Sequence, residues 1–491
     1  MRVGPSQEEI RRSNLGALLR SVHLHGAMSR ADLTTSLGLN RSTIGALTAD
    51  LAAAGLVSEG VPREQRGKAG RPSLVVRPES EQVYVFAFAV EVDRIVAARV
   101  GLGGVVLDRH AAVRERGDRS AAQVVAPIAD FVRKMQKAAP PGARLVGSAA
   151  AVSAMVRRED GFVRLGPELG WVDQPLGEAL ADVIISTGVD LFPATRLRAP
   201  GAVPAQRQAP DDDLVDAVNG RTMPARRGPA GGGPGVPAGA GQGDLLDDEV
   251  PDTDDTGDTG GDATGGSDTG HDTGSDTGSD ATRPLVQVRN NADLAALAEH
   301  ARGAAVGCDN VVYLYGDAGV GGGIIAAGRP VTGHGGYGGE VGHMVVNPAG
   351  KPCSCGSHGC WETEIGEHAL LTAAGRDPSS GREGILAVVD AAGRGDASAQ
   401  AAVRQVGDWL GFGVANLVNI FNPEMVIFGG TLREVYLASA AQVRSRLNRN
   451  ALPACREHVR LRTPVLGEDA ALLGAAELAF EPLFADPLDF A

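Results

Sequence analysis

Between His343 and Cys360 the chain reads HMVVNPAGKPCSCGSHGC, which brings one imidazole and the three thiols of Cys353, Cys355 and Cys360 within reach of a single metal ion. Structural Zn²⁺ takes four nitrogen or sulfur ligands in a tetrahedron, and one His with three Cys leaves no position open for an activated water. The pattern predicts a structural zinc that shapes a loop. Three of only five cysteines lie in this one turn, and Gly356 and Gly359 allow the backbone to double back between ligands. Beside the loop, Glu340 in GEVGH and Glu362 just after Trp361 are placed to meet a polar ligand. Cys308 and Cys455 stand alone and read as small buried hydrophobes.

A chain of 491 residues with 43% hydrophobic content can bury more than one core, so two or three domains are expected. An odd cysteine count and the lack of an apolar signal region after Met1 point to a reducing cytoplasm, and no run is long enough to span a bilayer. The net charge of −14 is unevenly spread. Residues 1–80 hold eleven Lys/Arg against seven Asp/Glu, whereas residues 201–284 hold five against seventeen. The N-terminus is thus locally basic enough to approach a polyanion. Residues 198–284, rich in Pro, Ala and Gly and ending in Asp-Thr-Gly repeats, have almost nothing apolar to offset the entropy of ordering and read as a disordered insertion. Calcium loops also use closely spaced Asp and Gly, but no bidentate Glu follows at the required place.

Residues 7–80 carry three helical patterns and then two short apolar stretches around a basic loop. The first helix, from Gln7 to His25, sets Ile10, Leu15, Leu18, Leu19 and Val22 on one side. Ser29 and Asp32 form a capping box for the second, with Leu33 and Leu37 inward, and Gly38 ends it. Asn40 caps the third, whose Ile44, Leu47 and Leu51 face the core while Arg41, Ser42, Thr43, Gly45 and Thr48 face away. A small, polar, hydrogen-bonding face on the second helix of a helix-turn-helix suits a major groove of double-stranded DNA. The loop that follows, with Arg63, Arg66, Lys68 and Arg71, resembles the wing of a winged helix and could reach phosphates or a narrow minor groove. The competing reading is a three-helix protein-interaction module with a solvated basic loop; the order helix, turn, polar helix, basic hairpin favours DNA.

From Val83 onward strand-like runs alternate with helical ones: VYVFAFAVEV, IVAARVGL, a helix near Ser120 to Lys137, and LVGSAAAV. After the insertion come LVQV, NNADLAALAEHA, VVYLYG, the glycines Gly319, Gly321, Gly322 and Gly323, further helices, and MVIFGG. Two such halves suggest an α/β pair of actin-like, hexokinase-like lobes with a cleft between them. The glycine run resembles a phosphate loop, but a tight strand-to-helix turn is the favoured reading.

The segments GVGGGII, GGYGGEVGHMVVNPAGKPCSCGSHGCWETEIGE and ANLVNIFNPEMVIFGG resemble the ROK family of bacterial sugar kinases and sugar-responsive transcriptional regulators. The winged helix with its GRPS wing at Gly70 to Ser73 is similar to the regulator branch. The resemblance implies a division into a DNA-binding domain at 1–80, a first ROK part at 82–197, the insertion at 198–284 and a second ROK part with the zinc loop at 285–484. It also implies that Asn290, Asn291, Glu340, His343 and Glu362 meet a sugar, with His343 shared with the zinc.

The chain departs from the kinase pattern of that family in several places. Where family kinases carry a D-x-G-G-T phosphate turn, it reads AVEVD from Ala89 to Asp93, where Glu91 would repel phosphate. The family's Asn-Asp pair becomes Asn290-Asn291, and a carboxamide binds a sugar hydroxyl but cannot take its proton. The family's Pro-Gly becomes Ser153-Ala154, and Glu168 replaces an Asn near Gly170-Trp171. The expectation is therefore a cytoplasmic, zinc-containing, homodimeric repressor of the ROK type without catalysis. The alternative is an active ATP-dependent sugar kinase with an accessory DNA-binding domain.

Overall fold

The computed structural model describes residues 6–61, 73–114, 120–189 and 286–490, which all belong to one compact unit. The insertion at 198–284 and the wing residues Arg63, Arg66, Lys68 and Arg71 lie outside the described residues.

The N-terminal module is α1 (Gln7–His25), β1 (Met28–Ser29), α2 (Arg30–Leu37), α3 (Arg41–Ala53), β2 (Val57–Gly60) and β3 (Val75–Pro78). Each helix starts where a short polar side chain can accept from an otherwise orphaned backbone N–H. Ser6 with Glu9 and Ser29 with Asp32 form full capping boxes, and Asn40 Oδ1 accepts from Thr43 N at 2.8 Å. The hairpin gains β1 as a third strand, in the order β1-β3-β2. Ile10 is 48% exposed, since the first turns of α1 project beyond the core that Leu15, Leu18, Leu19 and Val22 enter.

Chain order then gives β4 (Val83–Val90), β5 (Arg94–Gly101), β6 (Val105–Val113), α4 (Ala121–Ala138), β7 (Arg144–Val152), β8 (Met155–Val156), β9 (Val163–Gly166), β10 (Trp171–Gln174), α5 (Leu176–Ser186), β11 (Val286–Asn290) and α6 (Asn291–Arg302). The second lobe holds β12 (Val311–Gly316), β13 (Val320–Ala326), β14 (Arg329–Pro330), α7 (Glu362–Ile365), α8 (Glu367–Ala373), α9 (Gly381–Gly393), α10 (Ala397–Phe421), β15 (Met425–Gly430), α11 (Thr431–Asn450), α12 (Pro453–Arg456) and β16 (Arg460–Arg462). The final helix, α13 (Ala470–Ala485), returns to the first lobe and packs on α6, β4 and β7.

The two five-stranded sheets run β11-β7-β4-β5-β6 and β14-β13-β12-β15-β16. In each, an antiparallel three-strand meander is extended by two parallel strands on the side of its first strand, so the lobes repeat one topology. All eight residues of β4 are buried, as expected of a strand covered on both faces, whereas β6 is an edge strand with a mixed pattern. Residues 155–174 add a small antiparallel sheet, β10-β9-β8, that the sequence reading did not anticipate.

Gly321, Gly322 and Gly323 lie within β13, in an antiparallel hairpin with β12, and not in the strand-to-helix turn expected of them. Their smallness serves packing: a Cβ on Gly323 would stand 2.3 Å from the Ala292 carbonyl oxygen of α6. One hydrophobic core is continuous from Leu15, Leu47 and Val76 of the winged helix through the first sheet to α6 and α13. The winged helix is also bonded to the body: Arg20 makes a two-armed pair with Glu481 at 2.8 and 2.7 Å, and Arg144 donates to the carbonyls of Ala54 and Phe490 at 2.7 and 2.8 Å.

Candidate ligand cleft and metal cluster

An open cleft is lined by strand ends and loops of both sheets, at the crevice where α/β proteins of this kind bind ligands. Asn290, Asn291, Glu340, His343 and Glu362, the five residues singled out in the sequence, all line it. Asn290 closes β11 and caps α6: its Oδ1 accepts from Ala292 N at 2.7 Å and its Nδ2 donates to the Ala154 carbonyl at 3.2 Å. Asn291, only 5% exposed, donates through Nδ2 to Ser153 Oγ at 2.7 Å.

Glu340 sits at the start of the short turn that carries His343. Burial pushes its carboxyl above the usual range, His343 pulls it back, and Glu362 adds to the rise. Glu362 begins α7, where its Oε2 accepts from Val320 N at 3.4 Å and its Oε1 faces Cys353 Sγ at 2.9 Å. Two carboxylates went unnoticed in the sequence. Asp317 lines the cavity in the β12–β13 turn, hidden among glycines that drew the attention to phosphate loops. Asp293, three residues beyond Asn290 in the first turn of α6, is raised to about 7 by burial and by Glu340, against the pull of Arg289. Its place in a helical run made it look like a routine first-turn acid.

The β4–β5 turn is closed by Glu91 N donating to the Arg94 carbonyl at 3.0 Å, with Val92 buried and lining the cavity. Glu91 is buried as well, and its carboxylate is held by the Arg94 guanidinium at 3.2 Å through Nη2 and more closely through Nε. Glu91 is thus met within the protein, which corrects the expectation that it would act on phosphate by direct repulsion. What faces the cavity from this turn is the apolar Val92, with no glycine turn to wrap a phosphate.

The four residues expected to ligate a metal come together in one cluster. His343, Cys353, Cys355 and Cys360 bring four ligand atoms within 4.8 Å of one another. The Cys355 and Cys360 sulfurs are 3.7 Å apart and His343 Nδ1 lies 3.6 Å from Cys353 Sγ. A tetrahedron with metal–sulfur bonds of about 2.3 Å has sulfur–sulfur edges of about 3.8 Å, so this donor set could hold one ion. The loop is folded back by Cys353 N to the Ser357 carbonyl (2.8 Å) and by Gly359 N to the Lys351 carbonyl (2.8 Å). At Gly359, φ is 69° and a Cβ would stand 1.6 Å from the Asn347 carbonyl oxygen, so no other residue fits. Trp361, fully buried, anchors the far end by donating to the Trp409 carbonyl of α10 at 2.9 Å.

Of the residues expected to face DNA from α3, Arg41 and Ser42 are exposed and Thr43 is half-buried. Thr48 is not on that face. It is 0% exposed and its Oγ1 donates to the Ile44 carbonyl at 2.7 Å, because position 48 falls one turn beyond Ile44 on the buried stripe. Arg66, Lys68 and Arg71 lie outside the described residues.

The ROK family profile matches residues 278–481. The glucokinase of Streptomyces coelicolor is 34% identical over 220 residues, which are 41% of this chain and 68% of that enzyme. The chain belongs to the ROK family. The xylose repressor of Bacillus subtilis is 30% identical over 196 residues, 40% of this ROK chain and 50% of the repressor. The chain spans 64% of the length of the first curated relative, a glucokinase of Halalkalibacterium halodurans, and 50% of the next, a xylose repressor of Bacillus spizizenii. Among solved structures, a ROK family transcriptional regulator described as a homolog of the E. coli MLC protein superposes with a TM-score of 0.63 at 20% identity, covering 97% of both chains. A ROK glucokinase from Streptomyces griseus superposes at 0.52 with 21% identity, covering 81% of this chain and 99% of its own. These two likenesses bear on fold alone. The first takes in the N-terminal module, and the second is confined to about four-fifths of the chain.

Proposed function

We propose that this chain is a sugar-responsive transcriptional regulator, a repressor that grips double-stranded DNA as a homodimer and whose kinase-like cleft binds a sugar without phosphorylating it. The observation that carries the reading is the docking of a winged helix, with Arg41 and Ser42 outward on α3, against a ROK body in whose cleft lies Asn291, which we take as the counterpart of the family's catalytic Asp. A carboxamide accepts and donates hydrogen bonds to a hydroxyl but cannot remove its proton, the step that general-base catalysis supplies. Two winged helices on a pseudo-palindrome double the phosphate and base contacts that one module makes, which is the physical case for the dimer.

The chemistry of the cleft narrows the ligand. Its described lining includes the carboxylates of Glu168, Asp317, Glu340 and Glu362 and no Lys or Arg. Vicinal hydroxyls donate to carboxylates, whereas a phosphate ester would be repelled, so the effector is an unphosphorylated sugar or sugar derivative. To move a largely DNA-competent population to a largely incompetent one, it must favour the second state by about 10⁴-fold, or about 5.5 kcal/mol.

Zn²⁺ is the ion we assign to the His343, Cys353, Cys355 and Cys360 cluster. Three thiols and an imidazole suit it, and four protein ligands leave no open position, so its role is to fix the loop that carries Glu340 and His343. Zinc held by thiolates needs them reduced, and the described cysteines form no disulfide among themselves, in keeping with work in the cytoplasm. No helix among the described residues is long and apolar enough to cross a membrane.

A second reading, an ATP-dependent sugar kinase with an accessory DNA-binding domain, is favoured by the glucokinase relatives, at 33% and 34% identity. The experiment that separates the two is ADP release from ATP over hexoses, pentoses and amino sugars, run beside calorimetric titration of the same sugars. Binding without turnover supports the regulator; sugar-dependent turnover supports the kinase.

A further inference from the structure

Helix α6 begins in the cleft and ends at the winged helix. Asn290 and Asn291 form its first turn beside the cavity, and twelve residues later, about 18 Å along the axis, Arg302 closes it. The helix is gripped on both sides. Toward the second lobe, Gly323 of β13 meets the Ala292 carbonyl, and toward the first lobe a Cβ on Gly474 of α13 would stand 1.8 Å from the Leu294 carbonyl oxygen. Backbones this close cannot slide past one another without moving together.

At its far end Arg302 donates to the His23 carbonyl and to the Gly103 carbonyl, each at 3.1 Å, and pairs through Nε with Glu477 of α13. Glu477 in turn accepts from His23 Nε2 at 3.1 Å, while Gly103 N donates to His23 Nδ1 at 2.8 Å. His23 lies in the last turn of α1, is 0% exposed, and stands edge-on to Phe480 and Phe484 with ring centroids 4.8 and 4.9 Å away. One buried polar cluster thus joins α1, α6, α13 and the β5–β6 turn. Buried ion pairs contribute little net stability compared with apolar packing of equal volume, but they fix geometry, since each partner is costly to leave unpaired.

We propose that α6 carries cleft occupancy to the winged helix and that Arg302 is the positioning residue that ties the far end of α6 to α1 through Glu477 and His23. A ligand that engages Asn290 and Asn291 shifts the first turn of α6, and the shift arrives at the carbonyl end of α1. The proposal rests on the regulator reading for its purpose, yet its test uses neither ligand nor DNA.

The test is a double-mutant cycle across α6 in the full chain, read by amide hydrogen exchange. Asn290→Ala removes the cap at the cleft end and Arg302→Met cuts the joint. Substitutions more than about 7–10 Å apart without shared partners ordinarily add. Here each single variant raises exchange in residues 15–22 of α1 severalfold, residues 410–418 of α10 stay unchanged, and the double variant exchanges no faster than the faster single one. Arg302→Lys, which keeps the charge, retains most of the protection and guards against a misfolded Met variant. Rates that multiply in the double variant, or an Asn290→Ala variant that leaves α1 unchanged, overturn the coupling. Failure to find any selected duplex would instead sink the regulator reading and leave this result standing.

Discussion

The carboxamide of Asn291 donates to the hydroxyl of Ser153 at 2.7 Å, so two of the positions that the sequence marks as departures from the family's kinase pattern are bonded to one another in the lining of the cleft. A carboxylate at 291 would accept from that hydroxyl and could also accept a proton from a substrate. The amide spends one of its two N–H donors on Ser153, and its oxygen accepts hydrogen bonds but cannot take up a proton as a general base. The departures therefore form one local arrangement.

From this follows the first prediction. The wild-type chain releases no sugar-dependent ADP, and Asn291→Asp raises release by much less than the roughly 10²–10⁴-fold that a placed general base contributes, because the β4–β5 turn still presents Val92 where phosphate would need a glycine turn. A coupled assay for ADP checks both statements.

The metal cluster gives a second. Purified protein carries one zinc per chain by elemental analysis, and Cys355→Ser retains a small fraction of it, melts a few degrees lower and loses sensitivity to the sugar while keeping its hold on DNA. Unchanged sugar sensitivity in a zinc-depleted variant would show that the loop does not position the cleft.

Within α3, Arg41 and Thr48 should behave oppositely toward DNA. Arg41→Ala costs about 1–3 kcal/mol of duplex affinity if the guanidinium reads a base edge, or lowers the salt slope by about one if it meets a phosphate. Thr48→Val leaves affinity unchanged, since its hydroxyl is spent on the Ile44 carbonyl inside the module. Fluorescence anisotropy over a range of salt distinguishes these outcomes.

The joint at His23 predicts acid sensitivity. Burial lowers the His23 pKa below 6.5, outweighing the pull of Glu477, and Arg302 and Arg20 add to the fall. Gly103 N–H needs the Nδ1 lone pair, so a second proton would also break that bond. For Glu477, burial acts upward but the His23 hydrogen bond and the charges of His23 and Arg302 prevail, holding it below 4.5. Both depressed groups bind protons more readily in the unfolded chain. Stability is full above about pH 6.5 and declines as pH falls, first through His23 and then, below about 4.5, through Glu477. Urea midpoints at pH 7.5 and 5.5 report the first step, and His23→Gln removes it.

Much of this architecture was legible in the sequence because local signals agreed with the fold. Ser29 with Asp32, and Asn40 before a periodic apolar run, set the helix starts, and the four residues of the candidate metal cluster were marked by their types and spacing. The misreadings share one physical cause, in that a side chain's destination depends on partners far along the chain. Thr48 looks polar in sequence, but its helix phase puts it under the module. Gly321 to Gly323 suggested a turn, whereas the carbonyls of α6 require them to be small within a strand. Asp293 and Asp317 gave no motif, and only the approach of Glu340 to the one and of the cavity to the other reveals them. The joint of His23, Glu477 and Arg302 spans more than 450 residues of sequence and carries no local signature.

The most direct measurement is selection of duplexes from fragmented genomic DNA by the full-length chain, followed by titration of unphosphorylated sugars into the recovered complexes. The account predicts a small set of pseudo-palindromic duplexes held against random competitor and released by one sugar class, with no ADP formed when ATP is added. Retention of no duplex above competitor, or release that requires ATP and yields a phosphorylated sugar, would contradict it.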